Sequence, residues 1–183
     1  AYVQQFLGKY SISIKYYKKL LKILEKKEYD INNKEDIEKV KFIIDIENSL
    51  GICYTKSSIK QSFSINCFER ALIRECKEEV NINLEDKNIV FIDNLNFLGH
   101  SYEKLKKYDE AIGFFNQALD IIKGLFGINS EEYMANIYYI SSVYSKMEKY
   151  DLAIKSYEKA CSLIEQKLGD KHPYLAETLS KLA

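Results

Sequence analysis

Between residues 95 and 122 the apolar side chains advance by steps of three and four. Leu95, Leu98, Tyr102 and Leu105 form one stripe, and Ala111, Ile112, Phe115, Ala118, Leu119 and Ile122 form a second. Steps of this size keep side chains on one face of a 3.6-residue helix. The polar segment KKYDE at 106–110 separates the stripes and supplies a turn, with Asp109 near the start of the second helix, where a carboxylate suits the dipole. The pattern therefore predicts two antiparallel helices. Alanines at 111 and 118 let them approach closely, and Phe115 fills the space between them.

The same pattern returns 42 positions later, where KKYDEAIGFFNQAL (106–119) is echoed by EKYDLAIKSYEKAC (148–161). Over 94–135 and 136–177, identities fall at 11 of 42 positions: Asn94/Asn136, Tyr102/Tyr144, Lys104/Lys146, Lys107/Lys149, Tyr108/Tyr150, Asp109/Asp151, Ala111/Ala153, Ile112/Ile154, Ala118/Ala160, Ile122/Ile164 and Gly127/Gly169. A fixed period in this range marks a solenoid of stacked units, because one helix pair cannot bury both of its stripes alone. Upstream, Leu50-Gly51-x-x-Tyr54 with Phe68, Ala71 and Leu72 forms a further copy, and Gly8-Lys9-Tyr10 with Ile14 and Tyr17 forms the turn and second helix of another. Downstream, Leu175, Leu179 and Leu182 begin a new first helix. The recurring aromatic is Tyr17, Phe68, Phe115 and Tyr157, at spacings of 51, 47 and 42. First helices are expected at roughly 36–57, 88–105 and 131–147, in a chain that reads as a segment of a longer array.

Leu98-Gly99-x-x-Tyr102 followed by Ala111, Phe115 and Ala118 resembles the tetratricopeptide repeat at its internal spacings. Ile140-Ser141-x-x-Tyr144 with Ala153, Tyr157 and Ala160 repeats it, departing at Ser141, where a small residue still fits. The resemblance implies an all-α fold, a right-handed α-α superhelix (solenoid) of stacked helix hairpins. The whole of 1–183 reads as one array: a partial repeat at 1–35, repeats at 36–87, 88–130 and 131–172, and the start of another at 173–183. The 42-residue period, with Gly169, His172, Pro173, Ala176 and Leu179 in the linker LGDKHPYLAETLSKLA, is similar to the repeats of kinesin light chains and their relatives. The preceding linker keeps Gly127 but lacks His-Pro.

Composition narrows the function. Hydrophobic residues make up 46% and charged residues 30%, so the chain is neither disordered nor membrane-embedded. Twenty-seven basic and 27 acidic residues cancel, which removes the global positive field of a nucleic-acid binder. No apolar run reaches the roughly 18–20 residues a bilayer span needs, and AYVQQFLGKY has no signal-peptide pattern. No two of Cys53, Cys67, Cys76 and Cys161 form C-x-x-C, and with two histidines in the chain neither a metal site nor a cofactor is expected. All four lie in apolar helical patterns and read as buried thiols of a reducing, cytoplasmic compartment.

Catalytic motifs of the GxSxG, GxxxxGK[ST] and HExxH types are absent, so an enzyme is not expected. His100 stands without a paired nucleophile, and His172 belongs to the linker. What the resemblance implies is a peptide groove lined by first helices, with groove positions at Asn48, Ile52 and Lys56, at Asn96, His100 and Lys104, and at Tyr138, Ser142 and Lys146. Each trio steps by four along one side of its helix. Asparagine amides can pair with a peptide backbone whatever its side chains, and the lysines favour acidic segments or serve as solvated helix ends. The two-carboxylate clamp by which related repeats hold the acidic C-termini of chaperones does not fit, since its places carry Asn48, Ile52, Phe97, Ala135 and Tyr139.

The expected function is a non-catalytic scaffold or adaptor binding a peptide or helix of a partner protein, with no nucleic acid and no membrane. Alternatives are a self-associating structural array, hence a homo-oligomer, and a regulatory domain of a longer enzyme. Lys15, Lys18, Lys19, Lys22 and Lys26 form a basic stripe on the helix that carries Ile14, Tyr17, Leu21 and Leu24, and the stripe reads as its wet outer face.

Overall fold

The computed structural model describes residues 9–26, 29–30, 33–57, 61–77, 84–169 and 173–182, and its described elements are all α-helices. They are α1 (Tyr10–Leu24), α2 (Lys34–Ser57), α3 (Gln61–Lys77), α4 (Leu84–Lys104), α5 (Tyr108–Leu125), α6 (Glu131–Lys146), α7 (Tyr150–Leu168) and α8 (Pro173–Leu182). The first helices expected at 36–57, 88–105 and 131–147 correspond to α2, α4 and α6. The chain divides into two compact units, Ala1–Leu105 with α1–α4 and Lys106–Ala183 with α5–α8.

In the first unit each helix packs on the next, and α2 also meets α4. The core joins Tyr17 and Leu21 of α1 to Ile43, Ile46, Leu50, Cys53 and Tyr54 of α2 and Cys67 of α3. Phe68, fully buried, is the aromatic that the repeat places between helices. Its ring stacks on Phe97 of α4 at a centroid distance of 5.1 Å and an interplanar angle of 14°. Below it lies Gly51: a Cβ there would come within 2.6 Å of the Phe68 ring. The glycine of Leu50-Gly51-x-x-Tyr54 is therefore required by contact with an aromatic edge rather than by backbone freedom. Burying a phenylalanine ring in this way stabilises the unit by about 1.5–3 kcal/mol.

In the second unit α5 buries Ala111, Phe115, Ala118 and Ile122. Phe115 packs on Tyr139 of α6 at 5.5 Å, a counterpart 42 residues on from the Phe68–Phe97 contact on the α4 side. Ala153, Tyr157, Ala160 and Ile164 repeat the buried face on α7. Met134, Ile164 and Leu175 join α6, α7 and α8 in one cluster. Asn94 and Asn136, an identical pair in the repeat, are both buried, each within its own unit.

The turns follow the period too. Lys106 (φ 61°) and Glu148 (φ 60°) are left-handed, as are Gly127 (φ 81°) and Gly169 (φ 85°), and each pair is separated by 42 residues. At the end of α6 the Glu148 amide donates to the Ser145 carbonyl (3.0 Å) and the Lys149 amide to the Tyr144 carbonyl (3.0 Å). That is a Schellman closure, which satisfies carbonyls the helix would leave open. At the start of α6 the Ser130 hydroxyl accepts from the Tyr133 amide (3.2 Å), with Glu131 and Glu132 in the first turn.

Two expected stripes are narrower than their spacing suggests. Leu105 is 40% exposed because it sits where α4 gives way to the turn. On α8 the buried face runs through Leu175 and Thr178, which leaves Leu179 half exposed. Gly8, His172 and the side chains of Cys76 and Leu182 lie outside the described residues.

Candidate functional site

The three trios share one graded exposure along their helices. On α2, Asn48 and Ile52 are half-buried and Lys56 is exposed; on α4, Asn96 and His100 are half-buried and Lys104 is exposed; on α6, Tyr138 and Ser142 are half-buried and Lys146 is exposed. Because α2 and α4 are neighbours in the first unit, the first two trios lie on adjacent helices. Lys104 ties them together directly, its Nζ donating to the Thr55 carbonyl at 2.9 Å. A cation at that carbonyl also meets the negative end of the α2 dipole. Asn48 has its Oδ1 enclosed without a hydrogen-bond partner. His100 Nδ1 lies 3.3 Å from Glu103 Oε2, within one turn of the same helix. In the second unit, Tyr138 packs edge-on against Tyr139 (6.3 Å) and Tyr157 of α7 (5.7 Å), so its ring belongs partly to the α6–α7 contact.

A charged cluster escaped the spacing argument. Glu47 of α2 is fully buried, yet its carboxylate is held by Arg74 Nε at 3.1 Å and by Arg70 at 2.9 Å. Glu25, just after α1, pairs with both arginines as well. Burial pushes the Glu47 carboxyl up to about 7, with Arg74 pulling the other way. The signal was present: Glu47 occupies a core position in the stripe Ile43, Glu47, Leu50 and Tyr54, and Arg70 and Arg74 share one face of α3.

Cys53 and Cys67 are buried free thiols, and Cys161 is free and half-buried. Burial pushes Cys53 up to about 11 and Cys67 up to about 12, the latter with help from Glu47, so neither is a nucleophile near neutral pH. Among the described residues there is no cluster of histidine, cysteine and acidic side chains able to hold a metal ion. Nor is any described helix long and apolar enough to cross a membrane.

Tetratricopeptide-repeat models match residues 92–124 and 133–183. The chain is similar to the crystal structure of BtubC (BKLC) from P. vanneervenii, with a TM-score of 0.66 at 15% identity over 100% of this chain and 65% of that one. It thus spans about two thirds of the length of that relative. It is also similar to a Podosopora anserina structure of kinesin light chain nearly identical TPR-like repeats, with a TM-score of 0.74 at 12% identity over 98% of this chain and 78% of that one. A single-substitution form of the same repeats gives 0.75 at 12% identity, with the same coverage. These likenesses establish the all-α fold of stacked tetratricopeptide hairpins. No curated protein sequence matches the chain.

Proposed function

We propose that this chain, built of kinesin-light-chain-like tetratricopeptide repeats, is a non-catalytic scaffold that holds a peptide or helix of a partner protein against its first helices. Such repeats generally serve protein–protein interaction, and stacked helix pairs offer an extended binding surface. The observation that carries the reading is the repeated gradient of exposure: on α2, α4 and α6 alike, two half-buried side chains lead to an exposed lysine. Asn48 and Asn96 occupy the same place on adjacent helices of the first unit, where side-chain amides can pair with an extended backbone. Lys56 and Lys104 at the helix ends favour an acidic segment, and Lys104 can still donate outward with the protons that do not reach Thr55.

A peptide array tests the proposal. Acidic, basic and neutral 12-mers are screened at low and high salt on the parent chain, on Asn96→Ala and on Lys56→Glu. Acidic peptides should bind and weaken with salt, and those held by the first helices should be lost in both variants. Binding that is equal in parent and variants would remove the first-helix face as the working surface.

A further inference from the structure

The basic stripe of α1 is more than a wet face. Lys18 and Lys22 step by four along one side of α1, and Lys26 follows in the turn just beyond it. With Arg70 of α3 they line a cavity of ≈ 700 Å³ in the first unit, together with the buried Leu21, Leu50, Tyr54 and Cys67 and the partly exposed Phe63. The two rings stack at 5.5 Å with 27° between their planes, and Lys18 Nζ stands 5.5 Å from each ring centroid. Lys15 and Lys19 are exposed and do not line the cavity.

The charge balance here is uneven. Glu25 is the acidic residue of the wall, and Arg70 and Arg74 already hold it. Arg70 is fixed in place by Glu25 and the buried Glu47. Lys22 and Lys26 have no anionic partner among the described residues. Two uncompensated cations therefore stand in the wall of a cavity lined with aromatic and apolar side chains. The size falls in the range of small-ligand and side-chain pockets, roughly 300–1,000 Å³.

We propose that this cavity is a second docking site, taking an acidic segment of a partner protein that carries an aromatic or aliphatic side chain among its carboxylates. The carboxylates meet Lys22 and Lys26, and the apolar side chain enters between them onto Tyr54 and Phe63. The buried Leu21, Leu50 and Tyr54 set the apolar lining below the surface, where a side chain inserted from a peptide reaches it and a flat bilayer does not. The net charge of zero leaves no broad field to gather a polyanion. The site is distinct from the first-helix face: Leu50 and Tyr54 stand about 120–160° around α2 from Asn48, Ile52 and Lys56 at 3.6 residues per turn.

The test is fluorescence anisotropy with a labelled 12-residue peptide of glutamates flanking a central Phe-Leu pair, against its glutamine counterpart and a plain glutamate 12-mer. Phosphatidylserine vesicles and a 20-mer of thymidylate are run alongside. Lys22→Glu with Lys26→Glu alters exposed positions, and circular dichroism confirms that the fold is kept. The double variant should weaken the acidic Phe-Leu peptide by about tenfold or more, and Phe63→Ala should weaken it further than it weakens the plain glutamate peptide. Asn96→Ala should leave this binding within twofold. The proposal is overturned if the peptide does not bind, if the double variant binds as the parent does, if Asn96→Ala is the variant that abolishes binding, or if only vesicles or the oligonucleotide depend on Lys22 and Lys26.

Discussion

The two units build the same aromatic contact on different foundations. In the first, Phe68 presses on Gly51 and stacks on Phe97, and behind it a buried glutamate is held by two arginines. In the second, Phe115 meets Tyr139 at a more tilted angle of 39°, and among the described residues no buried carboxylate accompanies it. The second unit keeps the 42-residue register, and its left-handed turn residues recur in step with it. The first departs from that register, with aromatic spacings of 51 and 47, and carries both the ionic cluster and the lysine-lined cavity. Regular spacing thus goes with short turns and an interior without buried charge among the described residues, and irregular spacing goes with the ionic cluster.

The largest expected effect comes from removing the aromatic itself. Phe68→Ala and Phe115→Ala should each cost about 3–5 kcal/mol in urea unfolding, because both rings are fully buried. Gly51→Ala separates the units more sharply. A methyl at 2.6 Å from the Phe68 ring must displace it, at a cost of about 1–3 kcal/mol. Ser141→Ala, at the corresponding place on α6, should cost no more than about 1 kcal/mol, since it loses only the Ser141 hydroxyl bond to the Ile137 carbonyl. Equal losses at the two positions would undo the distinction.

The ionic cluster predicts a pH dependence of unusual sign. The Glu47 carboxyl is raised from its ordinary 4.5 to about 7 in the folded chain, so the native state binds that proton more tightly than the unfolded one. The resulting stabilisation is present in full below about 4.5 and is lost as pH rises through about 7. Unfolding free energy of the parent, measured against Glu47→Gln, should therefore rise as pH falls from 7.5 to 5. A difference that is flat or falls with acidification would mean the arginines keep Glu47 charged throughout. The smallest effect concerns the turn: Glu148→Gly relieves a left-handed side chain and should stabilise the chain by roughly 0.5 kcal/mol, visible as a small rise in Tm.

Much of this architecture is legible in the spacing of apolar residues, because hairpin packing depends on which side chains share a helix face. Tyr17, Phe68, Phe115 and Tyr157 recur as one series in the sequence, and all four are buried. Asn94 and Asn136 are identical across the repeat, and both lie in the interior. What the spacing does not carry is the partner across a helix boundary. Glu47 stands in an apolar stripe, but only the packing of α3 on α2 brings Arg70 and Arg74 to it. The lysines of α1 spell out a stripe, but its division into cavity and solvent depends on where Phe63 falls. Leu179 follows the expected step yet faces outward, because its helix turns Thr178 inward instead.

A partner segment lying on the first helices is read out by amide chemical-shift mapping of the isotope-labelled chain with an array-selected peptide. Shifts should concentrate at Asn48, Ile52, Asn96 and His100, with Tyr138 and Ser142 following if the ligand extends into the second unit. Shifts confined to α1 and α3, with those residues unmoved, would contradict it.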